Sequence, residues 1–256
     1  KQHYNVDENR VWIAGDSDGG RGTYAQLETG ATCFGAAVPV IGAPGGVTRF
    51  LNLKNVPLFA INGETDTTFP VEHVRPLVEG MQALGIDLVY KEIAGKGHNP
   101  RFFLEYRDEI CDFLEAHPRE PFPKIVHWQL DPSKEDFDGG FPADTCRWIR
   151  ILEAGQTASN ATFEDGGNLL RRGFPRIEAT YEGNRIEVKT KGVRRYAVLV
   201  SPDMLDLAGE IEIHTNGKES FRGTVEPDAR AILEEARRFK DRHLLFVNRI
   251  EIQVDP

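Results

Sequence analysis

Four short, mostly apolar runs, at residues 11–14, 36–41, 57–62 and 87–93, are separated by stretches with a helical period. Short runs that stay apolar on both faces are what a parallel sheet covered by helices requires. Residues 20–29 open on small side chains, as a helix after a tight turn would. Residues 71–84 place Val71, Val74, Leu77, Val78, Met81 and Leu84 on one stripe, with Pro76 as a local irregularity. Residues 101–116 repeat the stripe with Phe103, Ile110, Phe113 and Leu114. The alternation predicts an α/β fold built on a doubly wound parallel sheet, in which ligands bind at the carboxyl ends of the strands.

The pattern changes after residue 117. Pro118, Pro121 and Pro123 fall so close together that residues 118–124 read as a stiff linker. Beyond it the period becomes two. Residues 125–129, 147–152, 176–181, 185–190, 196–200, 210–215, 220–225 and 244–254 read as short strands. Asn216-Gly217 is a strong two-residue hairpin signal, and Glu182-Gly183-Asn184 a weaker one. One helix is predicted over residues 228–240, where Ala231, Ile232, Glu235 and Phe239 form a half-convincing apolar stripe. The chain is thus divided into an α/β part (1–117), a linker (118–124) and an antiparallel β-sandwich-like domain with one helix (125–256).

Composition narrows the classes. The 256 residues suffice for one large domain or two ordinary ones. A net charge of −9 leaves no electrostatic footprint for nucleic acid. No apolar run approaches the ~20 residues that cross a bilayer. Cys33, Cys111 and Cys146 are too few and too scattered for a disulfide framework or a zinc site. Residues 1–4 look like the last turn of a helix, and the run at 11–14 comes early for a strand at the centre of a sheet. The expectation is therefore a C-terminal part of a longer protein. The missing part of the fold, or a partner chain, would then lie along residues 11–14.

The candidate chemistry begins in that run. Residues 11–23 read Val-Trp-Ile-Ala-Gly-Asp-Ser-Asp-Gly-Gly-Arg-Gly-Thr, a strand, a serine framed by glycines, and a run able to open a helix. Gly-x-Ser-x-Gly between a strand and a helix matches a nucleophile elbow, in which the serine is held in a strained turn. Side chains at Gly15 and Gly19 are expected to collide with that turn. The plainer reading is a glycine-rich turn without chemistry. A phosphate-binding loop is excluded, because Gly20 is followed by Arg21-Gly22 and not by Lys-Ser/Thr.

A serine hydroxyl needs a base, and the base needs a carboxylate to fix its tautomer. After the run at 57–62 comes Gly63-Glu64-Thr65-Asp66, and after the run at 87–93 comes Gly97-His98. Asp66 is also readable as a turn aspartate that caps its own loop. Glu64 is the competing acid, closer to the strand end. His73, His117 and His127 are weaker candidates than His98, one lying in a predicted helix and two around the linker. Asp16 and Asp18 lack nearby residues at metal-ligand spacing and read as solvent-facing or loop-bonding carboxylates.

Residues 1–117 resemble the C-terminal half of the α/β-hydrolases, in the esterase branch with dienelactone-hydrolase-like, polyhydroxyalkanoate-depolymerase-like and prolyl-oligopeptidase-like enzymes. The matching pieces are Val6-Asp7-Glu8-Asn9-Arg10-Val11, Gly15-Asp16-Ser17-Asp18-Gly19-Gly20, Asn55-Val56-Pro57, Gly63-Glu64-Thr65-Asp66 with Pro70, and Gly97-His98. The resemblance implies Ser17 as nucleophile, His98 as general base and acid, Asp66 as its orienter, and the Asp18 backbone N–H as one oxyanion donor. Asp18 departs from the family, where Met, Gln or Ala is commoner, and its carboxylate would repel anionic substrates. The second donor would lie in a loop outside these residues. The implied function is a serine hydrolase acting on small-molecule esters without metal or organic cofactor. A prolyl-oligopeptidase-like peptidase and a non-catalytic binding or adhesion protein are the alternatives.

Overall fold

The computed structural model describes residues 4–45, 49–131, 142–155 and 173–254. The helix end expected at residues 1–4 lies, but for Tyr4, outside them. The chain divides into two compact units, which meet in sequence at Glu120 and Pro121.

In the first unit, β1 (Ile13–Asp16) leads into α1 (Asp18–Gly30), then β2 (Ala37–Val40), α2 (Phe50–Leu53), β3 (Leu58–Gly63), α3 (Val71–Ala83), β4 (Leu88–Ile93), α4 (Phe102–Glu105) and α5 (Arg107–Ala116). The four strands form one parallel sheet in the order β1-β2-β3-β4. β2 and β3 are buried throughout, as their largely apolar sequences require, with Asn62 of β3 the one polar side chain among them, whereas β1 alternates with exposed positions. β1 begins two residues later than the apolar run predicts. Its register against β2, from Ile13 opposite Ala37 to Asp16 opposite Val40, carries the strand up to the serine.

The stripe on α3 is buried at Val71, Val74, Val78 and Met81, with Pro76 inside a continuous helix. The helix expected over 101–116 is two helices that meet at Tyr106, whose ring packs edge-on against Phe102. Phe102 and Ile110 join Val38, Val40, Ile41, Phe59 and Ile61 in one core cluster, and Phe113 packs on Phe59 with ring centroids 5.3 Å apart. Arg119 is buried and bonded to the Asn9 side chain and the Thr32 carbonyl, so the first residues of the expected linker pack within this unit.

The second unit contains β5 (Ile125–Gln129), β6 (Thr145–Cys146), β7 (Ile149–Ala154), β8 (Arg176–Glu182), β9 (Arg185–Lys191), β10 (Val193–Val200), β11 (Ile211–Thr215), β12 (Lys218–Gly223), α6 (Ala229–Phe239) and β13 (Asn248–Gln253). They form sheets of order β12-β11-β9-β8-β5 and β13-β10-β7-β6. The Asn216-Gly217 hairpin is present, both residues having positive φ. One pairing corrects the antiparallel expectation: β9 and β11 are parallel. The chain leaves β9 for β10 in the other sheet before returning as β11, and such a crossover brings two strands together in the same direction. The two sheets touch where the Tyr196 hydroxyl of β10 meets Thr215 Oγ1 of β11 at 2.6 Å. Burial pushes the Tyr196 phenol up to about 12, so it stays neutral in this hydroxyl pair.

Among the helix α6 residues expected on one stripe, Ala231, Glu235 and Phe239 are buried and Ile232 is exposed. Glu235 belongs inside because Arg150 of β7 grips it with two nitrogens, Nη1 to Oε1 at 3.0 Å and Nη2 to Oε2 at 2.5 Å. A buried carboxylate is tolerated only when its charge is matched in this way.

Candidate active site

The turn between β1 and α1 is strained at one residue. Ser17 has φ 56° and ψ −118°, a conformation that costs a side-chain-bearing residue on the order of 1–3 kcal/mol. Its N–H is bonded to the Val40 carbonyl at 3.0 Å, which hooks the turn to the end of β2. The neighbouring glycines divide differently from expectation. A Cβ on Gly15 would lie 2.3 Å from the Gly19 carbonyl oxygen, so Gly15 is required. A Cβ on Gly19 would meet nothing within 4 Å, which corrects the expected collision there. The second required glycine is Gly20, whose Cβ would lie 2.5 Å from the Val40 oxygen. Gly42 faces it across the same contact, with a virtual Cβ 2.9 Å from the Arg21 nitrogen. A glycine just beyond the apolar run at 36–41 was the available signal for this crossing.

Asp66 and His98 reach the serine from the loops after β3 and β4. His98 Nε2 lies 2.9 Å from Ser17 Oγ, and His98 Nδ1 lies 2.8 Å from Asp66 Oδ2. The Asp66 carboxylate is fully buried, and His98 is about a quarter exposed. Asp66 makes two kinds of contact at once, one on each oxygen. Oδ2 meets the imidazole, while Oδ1 accepts the backbone N–H groups of Thr68 at 2.7 Å and Phe69 at 2.9 Å. This turn fixes the carboxylate and compensates part of its desolvation.

The two loops are bonded to each other. Thr65 N–H donates to the Lys96 carbonyl at 2.8 Å, and Gly63 lacks the Cβ that would lie 2.4 Å from the carbonyl oxygens of Lys96 and Gly97. Glu64, the competing acid, does not meet His98. Its Oε2 instead accepts the Gly95 N–H at 2.7 Å, capping the histidine loop. The other histidines lie elsewhere: His73 in α3, His117 with Nδ1 on the Phe113 carbonyl, and His127 beside Glu178. Asp16 and Asp18 are exposed. The Asp18 N–H, at the first position of α1, belongs to the amides that find no acceptor within a helix. Phe69, to which sequence reasoning gave no role, has its ring 6.0 Å from that of His98 at an interplanar angle of 22°. An aromatic residue between the acid and a helix-opening proline was its only signal.

Among the described residues, no group of three or more His, Cys, Asp or Glu side chains is placed to hold a metal ion. No described helix is long and apolar enough to cross a membrane.

Comparison with family models gives no match, and comparison with curated proteins gives none either. Solved structures do match in part. A thermostable esterase is 30% identical, covering 46% of this chain and 33% of its own, with a TM-score of 0.42. An acyl-protein thioesterase 2 from Zea mays is 18% identical over 40% of this chain and 54% of its own, with a TM-score of 0.33. A Klebsiella pneumoniae protein described as a dienelactone hydrolase is 16% identical over 45% of this chain and 56% of its own, with a TM-score of 0.40. The chain thus spans between a third and just over half of these structures.

Proposed function

We propose that the first unit carries the catalytic residues of a serine hydrolase that acts by acyl transfer on carboxylic esters. The observation that carries this reading is the unbroken chain Ser17 Oγ–His98 Nε2–Asp66, with contacts of 2.9 and 2.8 Å. A strained serine at a helix N-terminus, a histidine within reach and a buried carboxylate behind it are the parts acyl transfer needs.

In this mechanism His98 Nε2 takes the Ser17 proton as Oγ bonds to the ester carbonyl carbon. The carbonyl π electrons move to oxygen, and the Asp18 N–H stabilises the oxyanion at the positive end of α1. Asp66 accepts the Nδ1–H and stabilises the imidazolium. The tetrahedral species collapses, the alkoxide leaves with the proton from His98, and Ser17 is left acylated. Water attacks the acyl carbon as His98 takes its proton, and the carboxylic acid departs as Ser17 regains a proton.

The test is hydrolysis of short p-nitrophenyl esters by the intact protein and by Ser17→Ala and Asp66→Asn. Ser17→Ala is expected to lower turnover by several orders of magnitude, because such residues act as a unit. Asp66→Asn is expected to cost roughly 10⁴-fold, as loss of the tautomer-fixing carboxylate does in serine proteases. Ser17→Ala turnover within tenfold of the unaltered protein would overturn the assignment.

A further inference from the structure

Phe69 touches both partners of the serine by different parts of itself. Its backbone N–H donates to Asp66 Oδ1 at 2.9 Å, while its ring lies nearly parallel to the His98 ring at a centroid separation of 6.0 Å. The backbone that carries the ring is held in place. Phe69 precedes Pro70, and a residue before proline is confined to extended backbone. Pro70 in turn opens α3, its carbonyl accepting the N–H groups of His73 at 2.9 Å and Val74 at 3.2 Å. That helix is fixed to the unit by the buried side chains of Val71, Val74, Val78 and Met81. Rigidity passes from the core through α3 and Pro70 to the backbone from which the ring projects.

The His98 loop is held through its backbone, by Thr65 N–H on the Lys96 carbonyl and by Glu64 on the Gly95 N–H. His98 sits in a loop of glycines, Gly95 and Gly97, and its side chain is about a quarter exposed. Its two hydrogen bonds, Nδ1 to Asp66 at 2.8 Å and Nε2 to Ser17 Oγ at 2.9 Å, both lie at the ring edge and leave the imidazole free to tilt about the line that joins them. A flat surface against its face removes this motion and keeps Nε2 on Ser17 Oγ.

We infer that Phe69 is a positioning residue for the base, its ring holding the His98 imidazole in the plane that joins Asp66 to Ser17. The inference rests on the reading of His98 as the general base. A ring–ring contact contributes on the order of 0.5–1.5 kcal/mol beyond burial, which corresponds to roughly 2–12-fold in rate.

The experiment compares the intact protein with Phe69→Leu and Phe69→Tyr. All three keep the backbone N–H that Asp66 needs, so the acid loop is preserved and only the ring face is varied. Phe69→Leu is expected to lower kcat by roughly 3–10-fold with KM unchanged, and Phe69→Tyr to restore it. In parallel, selective labelling of the seven histidines allows the His98 ring protons to be followed by nuclear magnetic resonance. They are expected to lose their ring-current shift in Phe69→Leu and to keep it in Phe69→Tyr. A Phe69→Leu kcat within twofold of the unaltered protein, a Phe69→Tyr kcat as low as that of Phe69→Leu, or His98 signals that do not move would each overturn the inference. Failure of the hydrolase reading is seen separately, as turnover that survives Ser17→Ala, and the resonance measurement does not depend on it.

Discussion

Around Ser17, space decides which glycines are needed, and the sequence motif does not coincide with that requirement. Gly15 and Gly20 are held to glycine by backbone oxygens 2.3 and 2.5 Å from where a Cβ would stand, while Gly19 faces open space. Backbone atoms cannot rotate aside as a flexible side chain can. Gly20→Ala is therefore expected to lower stability by about 1–3 kcal/mol and to loosen the contact of α1 with β2. Gly19→Ala is expected to be neutral or slightly stabilising, since alanine favours helical backbone by up to about 1 kcal/mol over glycine. Urea midpoints of the two variants check this, and a Gly19→Ala cost larger than that of Gly20→Ala would contradict it. The serine, acid and histidine were legible because each follows an apolar run that ends in a turn. Phe69 and Gly42 were not, because their contacts, to His98 and Gly20, join residues more than twenty positions apart.

At the scale of elements, apolar runs and alternation located every described strand but the two-residue β6 to within about four residues, and β5 falls on its predicted residues. Alternation tells which face of a strand is buried but not which strand lies beside it. The parallel pairing of β9 with β11 was invisible for that reason, whereas the Asn216-Gly217 hairpin, written in two adjacent residues, was plain. Glu235 shows the same limit. An isolated glutamate in an apolar stripe weakens a helix assignment until its partner is known, and Arg150 lies 85 residues away. The pair carries a prediction. Glu235→Ala leaves a guanidinium buried without its carboxylate and is expected to cost about 3–5 kcal/mol, whereas Arg150→Met with Glu235→Leu is expected to cost far less. Tryptophan fluorescence during urea unfolding reports it, because Trp128 and Trp148 both lie buried in the second unit. A loss below 1 kcal/mol in Glu235→Ala would contradict a buried, matched charge.

For the molecule as a whole, the proposed chemistry falls at the carboxyl ends of β1, β3 and β4, where a parallel sheet gathers loops from distant parts of the chain. Ser17, Asp66 and His98 are separated by 49 and 32 residues in sequence, and the sheet order brings them within hydrogen-bond distance. An exposed hydroxyl without a base does not react with organophosphorus reagents at neutral pH, so activation of Ser17 is what separates a catalytic serine from an ordinary one. The protein itself supplies a clean readout. Trypsin cleavage after Arg10 and Arg21 releases residues 11–21, a peptide in which Ser17 is the only hydroxyl-bearing residue. The decisive measurement is mass spectrometry of that peptide after treatment of the intact protein with a fluorophosphonate. The account predicts a stoichiometric adduct on residues 11–21, absent from His98→Ala. An unmodified peptide 11–21, or an adduct that persists in His98→Ala, would contradict it.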